Sequence, residues 1–142
     1  MAGQKEYPLL NKSKELLVYT TQATMNTNLF PKAVRFTYSQ RLQNTATDIL
    51  KNIISANECH FETEHQKRLV LIKQVLDDSI FMLQLLEVCF QLGYIDAKKT
   101  DHWSKLVLNI RYMAAAWKKK DGDRAKRLVA AQTQGAVQQK LF

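Results

Sequence analysis

The 142-residue sequence is poor in the residues that staple or break a chain, with 2 Cys, 2 Pro and 4 Gly. A secreted disulfide scaffold carries many more cysteines than Cys59 and Cys89, so that class is excluded and a reducing compartment fits best. A chain of this length needs no staple, because a domain near 150 residues buries about 68–70% of the surface exposed when unfolded. Four scattered glycines provide neither Gly-x-x-x-x-Gly-Lys nor Gly-x-Gly-x-x-Gly, which argues against nucleotide hydrolysis on a phosphate-cradling loop. Long apolar runs are also missing. The most apolar stretch, Ile80 to Ile95, is interrupted by Gln84, Glu87 and Gln91 and falls short of the roughly 20 residues a membrane span needs. Met1 to Glu6 meets charge before any apolar run, so no secretory leader is expected and a cytoplasmic setting follows.

Gly and Pro mark the turns, and between them apolar residues recur at three- and four-residue steps, the period of an amphipathic helix. The pattern predicts an all-α, antiparallel up-down-up-down four-helix bundle over residues 1–117, followed by a basic C-terminal tail over 118–142. Helix one is expected over about 8–27, opening at Pro8 and carrying Leu9, Leu10, Leu16 and Leu17. Helix two is expected over 37–55, opened by a Thr37/Gln40 capping box and buried through Leu42, Ala46, Ile49, Leu50 and Ile53. Helix three is expected over 63–92, from a second capping box at Thr63/Gln66 to a left-handed C-terminal residue at Gly93. Helix four is expected over 97–119, capped by Asp96, with an inner face of Trp103, Leu106, Val107, Ile110, Met113, Ala114 and Trp117.

Helix three is apolar on more than one side. Leu69, Ile72, Leu76, Ile80, Leu83 and Leu86 form one stripe, while Phe81, Leu85 and Val88 lie elsewhere. Either this helix touches two neighbours inside one bundle, or Phe81, Leu85 and Val88 form an oligomer interface.

Few residues offer chemistry. Glu62 and His65 make a Glu-x-x-His pair, but a di-metal bundle site needs that pair twice, and Lys99 stands where the second Glu would precede His102. No metal and no other cofactor is expected. Cys59 or Cys89 would need a base held nearby to act as a nucleophile, and Cys89 lies in an apolar helix, where a buried thiol is inert, so a packing role is expected instead. Trp103 and Trp117 read as core residues. No enzyme is indicated.

Cations are the feature in excess. The net charge is +8, and residues 118–142 hold 7 basic and 2 acidic residues, or 7 − 2 = +5 of it. Clustered long cations are what phosphate binding requires, which makes Lys118, Lys119, Lys120, Arg124, Lys126 and Arg127 the candidate nucleic-acid contacts. Arg111 and Lys105 on the outward side of helix four extend the set. Gly122 is expected to interrupt helix four and leave a mobile extension whose alternative role is solubility alone. Lys32, Arg35 and Arg41 form a second, weaker basic set, for which ion pairing or capping is the simpler role. No base-reading module is present, so binding is expected to be largely independent of sequence.

The segment from Leu29-Phe30-Pro31-Lys32 through Arg35-Phe36-Thr37 to Ile49-Leu50 resembles a signature of a family of small bacterial and phage four-helix proteins. That family includes the accessory variability determinants of diversity-generating retroelements and proteins encoded in intervening sequences of bacterial ribosomal RNA genes. The likeness extends to Gly93-Tyr94-Ile95 and Trp117-Lys118, covers most of residues 8–120, and leaves residues 121–142 outside. It implies a non-enzymatic homo-oligomer, a pentamer in the accessory determinants, whose basic surface engages a reverse transcriptase together with RNA and cDNA in a bacterial or phage-infected cytoplasm. No membrane partner is implied. The competing expectation is a protein-only helical adapter of the same fold.

Overall fold

A computed structural model describes residues 7–140, with side-chain surroundings for residues 7–135. The expected leader-free start at Met1 to Glu6 and the last residues of the basic segment lie outside the described residues. The described chain is all-helical and has no strand. Helix α1 spans Pro8–Met25, a 3-10 turn Lys32–Val34 and a π turn Arg35–Ser39 lead into α2 at Gln40–Glu58, α3 spans Phe61–Gln91, and α4 spans Ala97–Lys140. Each helix packs against the next in the chain and α1 also packs against α4, which closes a four-helix bundle.

The core is built from residues spaced alternately three and four apart. In α2 these are Leu42, Ala46, Ile49, Ile53 and Ala56, all fully buried, as the sequence pattern predicts. In α4, Trp103, Val107, Ile110 and Ala114 are fully buried and Leu106 nearly so. Helix α1 departs from an all-apolar stripe: Ser13 and Thr20 sit fully buried between Leu9, Leu16 and Ala23. Their hydroxyls are satisfied. Ser13 Oγ donates to the Leu10 carbonyl at 2.8 Å, and Thr20 Oγ1 accepts the Trp103 indole N–H at 3.0 Å, so a buried donor and acceptor satisfy each other across α1 and α4.

Helix α3 corrects the stripe read from sequence. Its buried line is Ile72, Val75, Ser79, Met82, Leu86 and Cys89, whereas Leu69, Leu76 and Leu83 are half-buried and Ile80 is exposed. The polar residue hid the register: Ser79 Oγ bonds the Leu76 carbonyl at 2.7 Å, so the hydroxyl enters the core without an unpaired group. Leu76 and Leu83 flank this line as α3 lies against both α2 and α4.

Two helix starts also differ from the expected capping boxes. Helical geometry begins at Lys32, directly after Pro31, so Thr37 falls inside the π turn and caps nothing; the Gln40 N–H bonds the Arg35 carbonyl instead. Helix α3 starts two residues before Thr63. The His60 N–H donates to Glu64 Oε1 at 3.0 Å, and Glu64 takes non-helical angles (φ −127°, ψ 21°) that kink the first turn. The α3–α4 turn forms as read from sequence. Gly93 has φ +84°, its N–H bonds Phe90 O and the Tyr94 N–H bonds Cys89 O, each at 3.0 Å, which is a Schellman closure. Asp96 Oδ1 then accepts the Lys99 N–H at 2.7 Å.

Candidate nucleic-acid interface

Helix α4 is 44 residues long and does not stop near residue 119. At about 1.5 Å per residue it extends roughly 66 Å, well beyond the length of α2. The expected break at Gly122 is absent. A glycine inside a helix costs about 1 kcal/mol relative to alanine, and packing on α3 offsets it. The buried line of α4 continues past Trp117 through Asp121 and Ala125, which are only 4% and 5% exposed.

The first turns of α3 form the dock. Arg68 Nε donates to Asp121 Oδ2, and the side chains are 15% and 6% exposed. The same guanidinium lies 4.9 Å from the centroid of the Trp117 ring and 5.7 Å from that of Phe61. Arg124 stacks closer on Phe61, at 3.8 Å. Two guanidinium groups, two aromatic rings and one carboxylate therefore hold the start of the basic segment against the bundle, where charge-assisted hydrogen bonding and cation–π attraction act together.

This docking sorts the predicted cations. Lys119, Lys120, Lys126 and Arg127 are exposed and make no ion pair with a described residue. With Lys105 they lie within an outward arc of about 120° at ~100° per residue, while Lys105 sits some 20 Å further along the axis than Lys119. Lys105 is exposed and paired to Asp101 at 2.9 Å, a surface pair worth about 0–1 kcal/mol that a phosphate can displace. Lys118 is half-buried at one flank of the arc. Arg111, on the same flank, donates from Nη1 to the Leu76 carbonyl at 3.3 Å and braces α3. Arg124 stays exposed at the other flank, its plane occupied by Phe61, and with Arg127, Glu62 and Leu128 it borders a cavity of about 270 Å³. Asp123 is exposed within the basic arc and reduces its charge.

Asp121 and Arg68 were missed as structural residues. The signal was available: Asp121 continues the spacing 103, 107, 110, 114, 117, and Arg68 stands seven residues after Phe61 on one helical face.

The remaining candidates divide as follows. Phe81 and Val88 are 47% and 42% exposed, and with half-buried Leu85 they share a face that continues to Leu92, 51% exposed, while exposed Gln74 and Asp77 interrupt it towards Val70. This apolar face is unpartnered in the single chain. Cys59 and Cys89 are buried and unlinked. Burial pushes the Cys89 thiol up to about 11, which keeps it protonated and unreactive at neutral pH. Glu62 is exposed, and the His65 ring is tilted 38° to that of Phe61 with centroids 5.8 Å apart; among the described residues no three His, Cys, Asp or Glu side chains converge to hold a metal. Trp103 and Trp117 belong to the core and its border. Lys32, Arg35 and Arg41, expected to pair or cap, are exposed and make no ion pair with a described residue. Among the described residues no helix is long and apolar enough to cross a membrane.

No family model matches this chain, and no curated protein or solved structure matches it significantly.

Proposed function

We propose that this chain is a non-enzymatic, oligomeric accessory protein of the bacterial cytoplasm that binds a retroelement reverse transcriptase together with RNA and cDNA. The observation that carries the nucleic-acid part is the docked extension of α4, which presents Lys119, Lys120, Lys126 and Arg127 outward from one continuous helix. A helix holds these cations in fixed relation, so phosphate contacts do not require the segment to order on binding. Residue pairings that run in opposite senses support an antiparallel α3 and α4, as an up-down-up-down bundle requires: Arg68 meets Asp121 while Arg111 meets Leu76. The reverse transcriptase as partner, and a pentamer as the assembly, rest on the resemblance carried by Leu29 to Leu50. The exposed face of Phe81, Val88 and Leu92 supports self-association.

That apolar face also favours a second reading, a protein-only adapter that docks partner helices and leaves the charge incidental. Light scattering of the purified chain, alone and with a structured RNA across a salt series, separates the two. An oligomer that binds RNA and releases it as salt rises supports the retroelement accessory reading. A chain indifferent to RNA at all salt concentrations overturns it in favour of the adapter.

A further inference from the structure

At the end of the bundle away from the α4 extension, α1 finishes and the helical run towards α2 begins, and a cavity of about 280 Å³ lies between them. Its walls include Thr24, Phe30, Lys32, Arg35, Ser39 and Gln43. Three observations bear on what it takes. Lys32 and Arg35 border the cavity, make no ion pair with a described residue, and no carboxylate lines it. Ser39 lines the cavity, is 4% exposed as a residue and makes no hydrogen bond with a described residue, so its hydroxyl is free to donate. Thr24 is by contrast committed, donating to the Thr20 carbonyl at 2.6 Å and accepting from Gln43 Nε2 at 2.8 Å, so it shapes the wall.

The π turn is the device that makes this arrangement. The Gln40 N–H reaches back to Arg35 O, one residue further than in an α-helix, and the widened turn carries Ser39 inward while Phe36 points out at 75% exposure. A cavity with two unpaired cations, an unpartnered hydroxyl and the side of Phe30 fits an anionic head on a small, flat body.

We infer that this cavity is a binding site for a phosphate monoester of mononucleotide size, with Arg35 and Lys32 on the phosphoryl oxygens and Ser39 donating to one of them. The chemistry is shared by a free mononucleotide and by the 5′-phosphate end of a nucleic acid, and the inference does not depend on the α4 surface. Full-length protein is titrated calorimetrically with adenosine monophosphate, adenosine, inorganic phosphate, and a short oligonucleotide with either a 5′-phosphate or a 5′-hydroxyl. Saturable binding of the monophosphate, tenfold or more weaker for adenosine, is the expected result. Arg35→Gln and Lys32→Gln should each weaken it about tenfold and Ser39→Ala several-fold, whereas Lys51→Gln, an exposed position on α2 outside the cavity lining, leaves it unchanged. Arg35 and Lys32 are exposed, so these variants should keep the wild-type circular dichroism and melting temperature. Tighter binding of the 5′-phosphorylated than of the 5′-hydroxyl oligonucleotide, with the difference lost in Arg35→Gln, would still support the site and assign its ligand to a nucleic-acid end. Absence of binding by every phosphomonoester at millimolar concentration, or full affinity in Arg35→Gln, would overturn it.

Discussion

Replacing Asp121 by alanine removes one partner of a nearly buried ion pair, with Arg68 at 15% and Asp121 at 6% side-chain exposure. Loss of one partner in a buried pair costs about 3–5 kcal/mol, because the other charge is left without compensation. The lower end applies here: Arg68 keeps the faces of Phe61 and Trp117, and such stacking holds about 0.5–2 kcal/mol. A loss of roughly 3 kcal/mol in a chain of this size lowers the melting temperature by about 12 °C at ~4 °C per kcal/mol. Asp121→Asn keeps an acceptor for the Arg68 N–H and should lose about half as much. Because the pair ties residues 118–128 to α3, hydrogen exchange should accelerate there first while amides near Val107 and Ile110 keep their protection. Combining Arg68→Met with Asp121→Leu should restore most of the loss, since apolar residues of similar size replace a buried pair at little net cost. A melting temperature within about 2 °C of wild type for Asp121→Ala, with unchanged exchange over 118–128, would refute the docking argument.

Three further changes probe the fold. Gly93→Ala should destabilise by about 1–2 kcal/mol in denaturant titration; φ is +84° and no atom lies within 4 Å of the added Cβ, so the cost is conformational, and an unchanged midpoint would contradict it. Thr20→Val removes the acceptor of the Trp103 indole N–H and leaves that donor buried, which should cost about 1–3 kcal/mol; equal stability would mean the bond is dispensable. For Cys89, burial raises the folded thiol to about 11, above its unfolded value, so the unfolded chain releases its proton first. The folded state then loses stability as pH climbs through about 9 towards 11. Cys89→Ala should remove that part of the alkaline loss, and identical pH–stability profiles for the two proteins would sink the assignment.

The fold was legible where apolar residues alone mark the buried line, as with Leu42, Ala46, Ile49 and Ile53 in α2 and Trp103 to Ala114 in α4. It was misread where a hydroxyl replaces an apolar residue. Ser79 interrupts the line of α3 and shifted the apparent stripe to include exposed Ile80, yet its bond to Leu76 O makes it a core residue. Gly122 illustrates a second limit. A local helix breaker followed by a charge run reads as an end, and only the distant Arg68, Phe61 and Trp117 reveal why the helix continues. The candidate site was visible as a list of cations but not as a geometry. Sequence could not separate Arg111, braced on Leu76 O, from the unpaired Lys119 and Lys126, because that distinction depends on which face of α4 meets α3.

The most direct test of the central proposal is the affinity of the full chain for a single-stranded RNA measured against salt, beside a variant with Lys119, Lys120, Lys126 and Arg127 changed to glutamine. Each phosphate neutralised contributes about 0.7 to the slope of log affinity on log salt, so losing four contacts should flatten the slope by about 3. That flattening, with an unchanged melting temperature because all four side chains are exposed, is the predicted result. A variant slope equal to the wild-type slope, or no salt-sensitive binding by the wild type, would contradict the assignment of α4 as the nucleic-acid surface.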